Sequence, residues 1–327
     1  LRRVCWDNDD GFLMLWKTLL LALTALLVIL GVRTVSVPSR QAPPQSATVT
    51  IDGGRAPELL ARAIRFPTTS REEVARMQPF LNEAWPRVRE ALPVEKVNEL
   101  GRLYRWTGSD AALAPVVLMA HQDVVPVEKG SEAQWPHPPF GGVIADGSVW
   151  GRGATDDKIG LVGIFEAVER LLEQGYRPRR TVYLAFGQDE ETLGEQGAKS
   201  IVALLQARGV KPEAVFDEGG AITTGLVPGV DRPAAVVAIA EKGYADFELK
   251  ATGEPGHSSS PPRSTAIGIL ARAIQAVEDH PMPATLDTAA GRTLDYIAPE
   301  AKPAFRVLLA NRWLADPITM RVMHSKP

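Results

Sequence analysis

A histidine and an aspartate two positions apart follow an apolar, β-branched run, and their types suggest chemistry. Residues 116–126 read VVLMAHQDVVP, so His121 and Asp123 come directly after a predicted strand. Residues i and i+2 of extended backbone point to the same side, so the imidazole and the carboxylate would share one space. Taken alone, the pair is equally compatible with a strand end that faces water and with a carboxylate that orients a metal-binding imidazole.

Three further acidic clusters occupy comparable places in the chain. They are Asp156-Asp157 before a predicted helix, Asp189-Glu190-Glu191 after a second apolar strand, and Asp217-Glu218 after a third. The carboxyl ends of parallel strands open onto one crevice, where such side chains would converge. Any single acidic loop is most simply solvated surface, but carboxylates crowded together repel one another unless a cation lies among them. One imidazole with several carboxylates suits zinc, and this many acids suit a pair of ions about 3.5–4 Å apart.

Such a site would support hydrolysis. A bound divalent metal polarises a carbonyl and lowers the pKa of a bound water towards about 7. Glu190 and Glu191 are neighbours with diverging side chains, so one can bind metal while the other takes the proton from that water. Competing motifs are missing from the sequence, which has no His-Glu-x-x-His, no Gly-x-Ser-x-Gly and no P-loop.

The pattern of strands and helices explains how these loops could be brought together. Strands are predicted at 115–120, 181–186 and 214–216, with amphipathic helices at 159–174 and 197–208 between them and a further strand at 102–106. This alternation predicts an α/β fold with a parallel sheet, right-handed crossovers and helices on both faces of the sheet. Upstream, Ser70 to Glu73 forms a capping box for a helix in which Pro79 and Pro86 predict kinks or breaks.

The pattern changes near Glu241. In residues 245–252 apolar and polar side chains alternate strictly, which predicts a half-exposed antiparallel strand. A helix capped by Ser264 follows, with apolar residues at helical spacing from Ile267 to Val277. We expect a catalytic domain at 51–240 and the start of a smaller α+β domain at 241–327.

The N-terminal region predicts a membrane anchor. Residues 18–32 carry no charge, and with residues 13–16 the segment approaches the ~20 residues that span a bilayer. A cleaved signal peptide has a similar core, but residues 35–37 make a poor cleavage site. We expect a tail at 1–11, a single-pass signal anchor at 12–33 and a Pro- and Ser-rich linker at 34–50, with the catalytic domain on the exported side.

Composition excludes some functions. The chain has 327 residues and a net charge of -3, which argues against nucleic acid as a partner. Its single cysteine, Cys5, excludes an internal disulfide and every zinc site built on cysteine pairs.

Taken in order, the motifs resemble the aminoacylase/carboxypeptidase S family of co-catalytic zinc hydrolases. The resemblance covers about residues 55–280. Within the family, the motifs are most similar to those of carboxypeptidase S and the N-acyl-amino-acid hydrolases. It rests on His121-Gln-Asp123-Val-Val-Pro126, the 135–140 loop, Gly151-Arg-Gly-x-x-Asp156, Asp189-Glu-Glu-x-x-Gly194-x-x-Gly197-Ala and Asp217-Glu-Gly219.

The resemblance implies two zinc ions and a role for each residue of the first two loops. His121 would bind one zinc and Asp123 would orient its imidazole. Asp156 would bridge both ions. The smaller domain would be a lid or dimerisation domain.

The resemblance assigns the remaining roles in the same way. Glu190 would be the general base and Glu191 a ligand of the second zinc. The ligand from the third loop would be Asp217 or Glu218. His257, within the sequence Gly-His-Ser-Ser, would stabilise the oxyanion of the tetrahedral intermediate, often across a homodimer.

The family also returns its chain from the smaller domain to the catalytic domain, which adds strands and a last histidine ligand. Nothing before Pro327 matches that segment, so we expect a fragment of a longer product or a protein that has lost part of its site. The implied function is zinc-dependent hydrolysis of amide bonds next to a free carboxylate, in short peptides or N-acyl amino acids. The alternatives are a desuccinylase or deacetylase of a biosynthetic intermediate, which the anchor disfavours, and an inactive module that binds peptides.

Overall fold

A computed structural model describes residues 9–42, 53–227, 229–241, 243–260 and 262–324. The predicted tail at 1–11 and linker at 34–50 therefore lie partly outside the described residues. Contacts divide the chain into a sheet unit, Ala47–Gly219, and a helical unit, Leu1–Ser46 with Gly220–Pro327.

The regular elements follow in chain order. The helices are α1 (Asp9–Ser36), α2 (Ala56–Ile64), α3 (Arg71–Ala84), α4 (Pro86–Ala91), α5 (Lys158–Glu173), α6 (Ala198–Ala207), α7 (Ala266–Asp279), α8 (Ala289–Ile297), α9 (Pro303–Ala310) and α10 (Arg312–His324). The strands are β1 (Val94–Val97), β2 (Gly101–Trp106), β3 (Val116–His121), β4 (Val143–Ala145), β5 (Ser148–Trp150), β6 (Val182–Gly187), β7 (Ala214–Phe216), β8 (Ile222–Thr223) and β9 (Ala234–Ala235).

A five-stranded sheet in the order β1-β2-β6-β3-β7 forms the centre of the sheet unit. The parallel pairing of β3 with β6 and β7 confirms the predicted parallel core. The sheet as a whole is mixed, however, because β2 runs antiparallel to both β1 and β6. Residues 107–115, which join β2 to β3, are fewer than the dozen or more that a parallel crossover requires, so the chain reverses there.

Helices cover both faces of this sheet, as predicted. Leu184 and Phe186 of β6 enter the larger apolar cluster with Phe165 of α5, whereas Ala185 enters a second cluster with Ile201 of α6. This alternation is the period of two of an extended strand. Since both faces of β6 are buried, its register is strongly specified.

Local signals fix the helix boundaries in the sheet unit. The Ser70 hydroxyl accepts a 3.3 Å hydrogen bond from the Glu73 amide, which confirms the predicted cap of α3. A break occurs at Pro86, where α4 begins, while Pro79 lies inside α3 without ending it. Asp157 caps α5 by accepting a 3.1 Å hydrogen bond from the Gly160 amide.

The helical unit corrects two predictions. Residues 243–252 form no strand, and Phe247 is 85% exposed. A strand needs a neighbour for its backbone groups, and the described residues supply none there. The cap of α7 is Thr265 rather than Ser264, because the Ser264 hydroxyl accepts a hydrogen bond from Arg272 instead.

One helix of the described residues is long and apolar enough to cross a membrane. It covers Gly11–Ser36, 26 residues within α1, near the N-terminus. Length and composition are the basis of this assignment, and a signal sequence would have the same properties.

Candidate metal centre

The site lies at the carboxyl ends of two neighbouring parallel strands, β3 and β6, which end at the same register position. His121, the last residue of β3, pairs in register with Gly187, the last residue of β6. The loops that follow therefore leave the sheet side by side. One loop carries Asp123 and the other carries Glu190 and Glu191.

His121 lies at the centre of the cluster. Its side chain is buried, and its Nδ1 lies 2.9 Å from the backbone oxygen of Asp123. On the opposite side of the ring, Nε2 lies 2.8 Å from Asp156 Oδ1 and 3.4 Å from Glu218 Oε1. The ring is therefore fixed through one nitrogen, and the other nitrogen faces carboxylates.

Asp123 joins the two strand-end loops. Its Oδ1 accepts a hydrogen bond of 3.2 Å from the Glu190 amide, and its Oδ2 accepts one of 3.1 Å from the Glu191 amide. The carboxylate lies 3.4 Å from His121 Nδ1, farther than the backbone oxygen of the same residue. Asp123 therefore holds the second loop as well as contacting the histidine, a function that its place in the sequence did not suggest.

The side chains of Glu190 and Glu191 diverge, and their surroundings therefore differ. Glu190 Oε2 lies 3.9 Å from His121 Nε2, and its side chain is half exposed. Glu191 Oε1 accepts a 3.1 Å hydrogen bond from the Val125 amide. Burial raises the pKa of both carboxyl groups, and the neighbouring carboxylates add to this effect.

Of the two predicted alternatives in the third loop, Glu218 lies at the cluster. Its pKa is raised to about 7, first by burial and then by the nearby carboxylates of Asp157 and Asp156, against the opposing effect of His121. Asp217 is exposed, and its Oδ1 accepts a hydrogen bond from the Glu218 amide. Asp217 belongs to neither of the donor groups that the described residues form.

Two groups of three potential metal donors share His121. One consists of His121, Asp156 and Glu218, the other of His121, Glu190 and Glu191, and the donor atoms of each lie within 4.8 Å of one another. Tetrahedral zinc with bonds of about 2.0–2.2 Å places its donors about 3.3–3.6 Å apart. The 3.4 Å between His121 Nε2 and Glu218 Oε1 fits that spacing, while the 2.8 Å to Asp156 Oδ1 is a direct hydrogen bond.

The charge balance of the cluster also favours a cation. Burial lowers the pKa of His121, but Asp123 and Asp156 outweigh that effect and raise it to about 10. The crowded carboxylates therefore retain a positive charge on the imidazole in the absence of metal. A divalent ion would satisfy the same carboxylates and replace that proton.

Asp156 and Asp157 are adjacent, joined by a cis peptide bond, and have different surroundings. Asp156 is exposed and contacts His121, whereas Asp157 is buried at the start of α5. Burial raises the pKa of Asp157 to about 6, and its Oδ2 has no hydrogen-bond partner among the described residues. Asp189 likewise turns away from the site and accepts a hydrogen bond from the Gln196 amide.

Sequence reasoning missed two buried residues beside the site. Lys158 is fully buried, and its ammonium group donates to the carbonyl oxygens of Ala63 and Phe66. Burial lowers its pKa to about 7. Gln122 is also fully buried. A lysine at the first turn of a helix and a glutamine between two site residues have no sequence signal that separates them from surface residues.

His257 lies in the helical unit. Its side chain is exposed, and its Nδ1 accepts a hydrogen bond from the Ser259 amide and contacts the Ser259 hydroxyl at 2.8 Å. The role of His257 at the oxyanion stays a prediction.

Comparisons with known proteins point in one direction. A family model described as Peptidase family M20/M25/M40 matches residues 117–313. The N-fatty-acyl-amino acid synthase/hydrolase PM20D1 of Mus musculus is 40% identical over 83% of this chain and 55% of its own length. The probable carboxypeptidase S-like 2 of Dictyostelium discoideum is 38% identical over 82% of this chain and 53% of its own. Carboxypeptidase S of Saccharomyces cerevisiae is 39% identical over 68% of this chain and 41% of its own. The chain spans about half the length of the curated relatives it matches.

Proposed function

The chain belongs to peptidase family M20/M25/M40, and from this premise we propose that it is a zinc-dependent hydrolase of amide bonds next to a free carboxylate. The observation that carries the proposal is the convergence of three loops on His121 Nε2, with Asp156 Oδ1 at 2.8 Å, Glu218 Oε1 at 3.4 Å and Glu190 Oε2 at 3.9 Å. The relatives are named as an N-fatty-acyl-amino acid synthase/hydrolase and as carboxypeptidases, and both N-acyl amino acids and the C-terminal bond of a peptide present an amide beside a carboxylate. N-acyl amino acids and short peptides are therefore the proposed substrates.

We propose that the site holds two zinc ions. His121 and Glu218 would bind the first, Glu191 the second, and Asp156 would be shared between them. The mixed nitrogen and oxygen donors of His121, Asp156 and Glu218 and their spacing support the first ion, and the family resemblance supports the second. Bound zinc polarises the substrate carbonyl and acidifies a water molecule.

Glu190 is the proposed general base. Its carboxylate is half exposed at the edge of the cluster, where water and substrate can reach it. Burial raises its pKa, which makes the carboxylate a stronger base and favours a group that takes and then returns a proton. Glu190 would take the proton from the attacking water and deliver it to the leaving amine nitrogen. The Asp123 carboxylate, through the Glu190 amide, would keep this base in place.

The remaining assignments are proposals at the level of the whole protein. We expect a catalytic domain at 51–240 and a lid or dimerisation domain at 241–327. His257 of the second domain would stabilise the oxyanion, and a homodimer would bring it to a partner's site. The apolar helix Gly11–Ser36 supports a single-pass anchor with the catalytic domain on the exported side. Protease protection of the protein in sealed vesicles tests that orientation.

Replacing the base tests the proposed function. In the purified protein, Glu190→Gln should lower turnover of an N-acyl amino acid or dipeptide by about 10²–10⁴-fold with unchanged zinc content. Glu195→Gln, in the same acidic loop but paired with Lys199 at the surface, is the matched control and should retain activity. Full turnover by a zinc-loaded Glu190→Gln protein would refute the assignment.

Metal content separates this function from its alternatives. About two zinc ions per chain are expected from elemental analysis. A chain that binds peptide but takes up no zinc would instead be an inactive binding module. Preferential cleavage of N-succinyl or N-acetyl substrates would identify the desuccinylase or deacetylase alternative.

A further inference from the structure

A buried glutamine separates the two site residues of the first loop. His121 and Asp123 face the metal cluster, and Gln122 between them points into the protein, where it is fully buried. Its Nε2 donates to the backbone oxygens of Leu100 at 3.1 Å, Phe186 at 3.0 Å and Gly187 at 3.1 Å. Its own amide also donates to Gly187, at 2.9 Å. One side chain thus joins the end of β3 to the end of β6 and to the residue before β2.

Gln122 ends a chain of buried hydrogen bonds that begins at a guanidinium. Arg102 Nε donates to Gln78 Oε1 at 2.5 Å, and Gln78 Nε2 donates to Gln122 Oε1 at 2.5 Å. Arg102 and Gln78 are both buried. A guanidinium can only donate and a backbone oxygen can only accept, so both glutamine amides are fixed in one orientation.

We infer that Gln122 is a positioning residue for the metal centre, an inference that rests on the proposed function. The side chain of Gln122 points to the opposite side from those of its neighbours, as in extended backbone. Because Gln122 lies between them in the chain, a shift of Gln122 moves both the proposed ligand His121 and Asp123. Two of the three backbone oxygens, those of Phe186 and Gly187, lie where β6 ends, and Gly187 is three residues before Glu190. Gln122 therefore sets the separation of the two loops that the proposed zinc ligands occupy.

The order of the residues in this series of hydrogen bonds distinguishes a positioning role from a contribution to stability alone. Gln78 donates a hydrogen bond to the side-chain oxygen of Gln122. The hydrogen bonds to the backbone oxygens of Leu100, Phe186 and Gly187 come from Gln122 itself. Loss of Gln78 leaves the Arg102 guanidinium without this acceptor and removes one hydrogen bond from Gln122. Loss of Gln122 removes the three hydrogen bonds that its side chain donates to Leu100, Phe186 and Gly187. The first change should mainly lower stability, and the second should also weaken metal binding.

Zinc affinity measured against a competing chromophoric chelator tests this inference. Gln122→Met keeps the side-chain length without the amide and should weaken zinc binding by about 10- to 100-fold, as expected when a group that orients a ligand is lost. Gln78→Met should lower the unfolding midpoint at least as much but weaken zinc binding less. Leu205→Ala, buried in the second apolar cluster on α6, is the control and should destabilise the protein with unchanged zinc affinity. If Gln122→Met does not fold, Gln122→Asn, which keeps the amide one methylene shorter, replaces it.

Three outcomes are informative. Greater loss of zinc affinity in the Gln122 variant than in the other two supports the inference. Wild-type affinity in that variant, or losses that follow stability alone across the series, overturn it while the proposed function stands. A wild-type chain that takes up no zinc overturns the proposed function and this inference together.

Discussion

The sheet unit and the helical unit hold their candidate site residues in different ways. In the sheet unit, His121 and Asp123 are buried and bonded to groups far away in the sequence, such as the Glu190 amide 67 positions from Asp123. In the helical unit, His257 lies in an exposed turn and contacts Ser259, two residues away. Apolar side chains follow the same division: Phe165 is 1% exposed and Phe247 is 85% exposed.

This difference shows where a side chain can be held for chemistry. A donor that is fixed by long-range hydrogen bonds inside a packed core keeps its position without cost at the moment of reaction. A donor that is held only by contacts within its own turn moves whenever that turn moves. Paired substitutions, one in each unit, test how far this contrast extends.

The largest contrast is expected for phenylalanine. Phe165 stacks on Trp85 with ring centroids 4.7 Å apart and also contacts Phe186 at 4.7 Å. Phe165→Ala should therefore lower the free energy of unfolding by about 3–5 kcal/mol. Phe247→Ala should change it by less than about 0.5 kcal/mol, because the side chain is exposed. Denaturant titration of both variants measures the contrast, and equal losses would contradict it.

Asp157 should give the next largest effect, as a dependence on pH. Its pKa is raised by burial from 3.8 to about 6. Since the unfolded chain binds fewer protons between these values, stability falls as the pH rises from 3.8 to 6. In metal-free protein, Asp157→Asn should gain up to about 3 kcal/mol relative to wild type between pH 4 and pH 7. Urea titrations with a chelator at both pH values measure this gain. Asp231→Asn, at an exposed site of the helical unit, is the control, and an equal gain there would remove burial as the cause.

A pair of lysines provides an intermediate case. Lys158→Met leaves the oxygens of Ala63 and Phe66 without their buried donor and should cost about 1–3 kcal/mol of unfolding free energy. Lys302 forms an ion pair of 2.9 Å with Asp231 on the surface. Lys302→Met should cost at most about 1 kcal/mol. Thermal unfolding of the two variants compares them, and a smaller loss at Lys158 would mean that relief of its buried charge dominates.

Substitutions of helix-capping residues should have similar effects in the two units. The Ser70 hydroxyl accepts from the Glu73 amide at 3.3 Å, and the Thr265 hydroxyl accepts from the Gly268 amide at 3.2 Å. Because a cap acts locally, Ser70→Ala and Thr265→Ala should each cost about 1 kcal/mol. Helix content followed by circular dichroism during denaturation measures both. A cap effect confined to the sheet unit would show that α7 is held by packing rather than by its cap.

Local sequence patterns predicted most of the sheet unit. Apolar runs indicated β3, β6 and β7, and an amphipathic repeat indicated α5, because each pattern reflects the burial of one element. The strand at 102–106 was predicted as well, but its antiparallel direction was not, since strand direction depends on the route of the loop before β3. Residues 245–252 have the alternation of a strand but no neighbouring strand among the described residues, so the pattern alone did not produce one.

The meeting of acidic residues at His121 was predictable from the sequence, but the geometry of their side chains was not. Position after a strand selected His121, Glu190 and Glu191, since strand ends converge. Nothing in the sequence separates the exposed Asp156 from the buried Asp157, which depends on which residue begins α5. The choice of Glu218 over Asp217 as the residue at His121 likewise depends on the direction of each side chain after β7.

The two hydrogen bonds accepted by Asp123 make the site observable without substrate. They close loops of 67 and 68 residues, between Asp123 and the amides of Glu190 and Glu191. These amide hydrogens can exchange with solvent only when the two loops separate. Because long loop closures form slowly, they should also be among the later amides to gain protection during refolding. Hydrogen exchange at Glu190 and Glu191 therefore reports the assembly of the centre in time, before any metal or substrate is added.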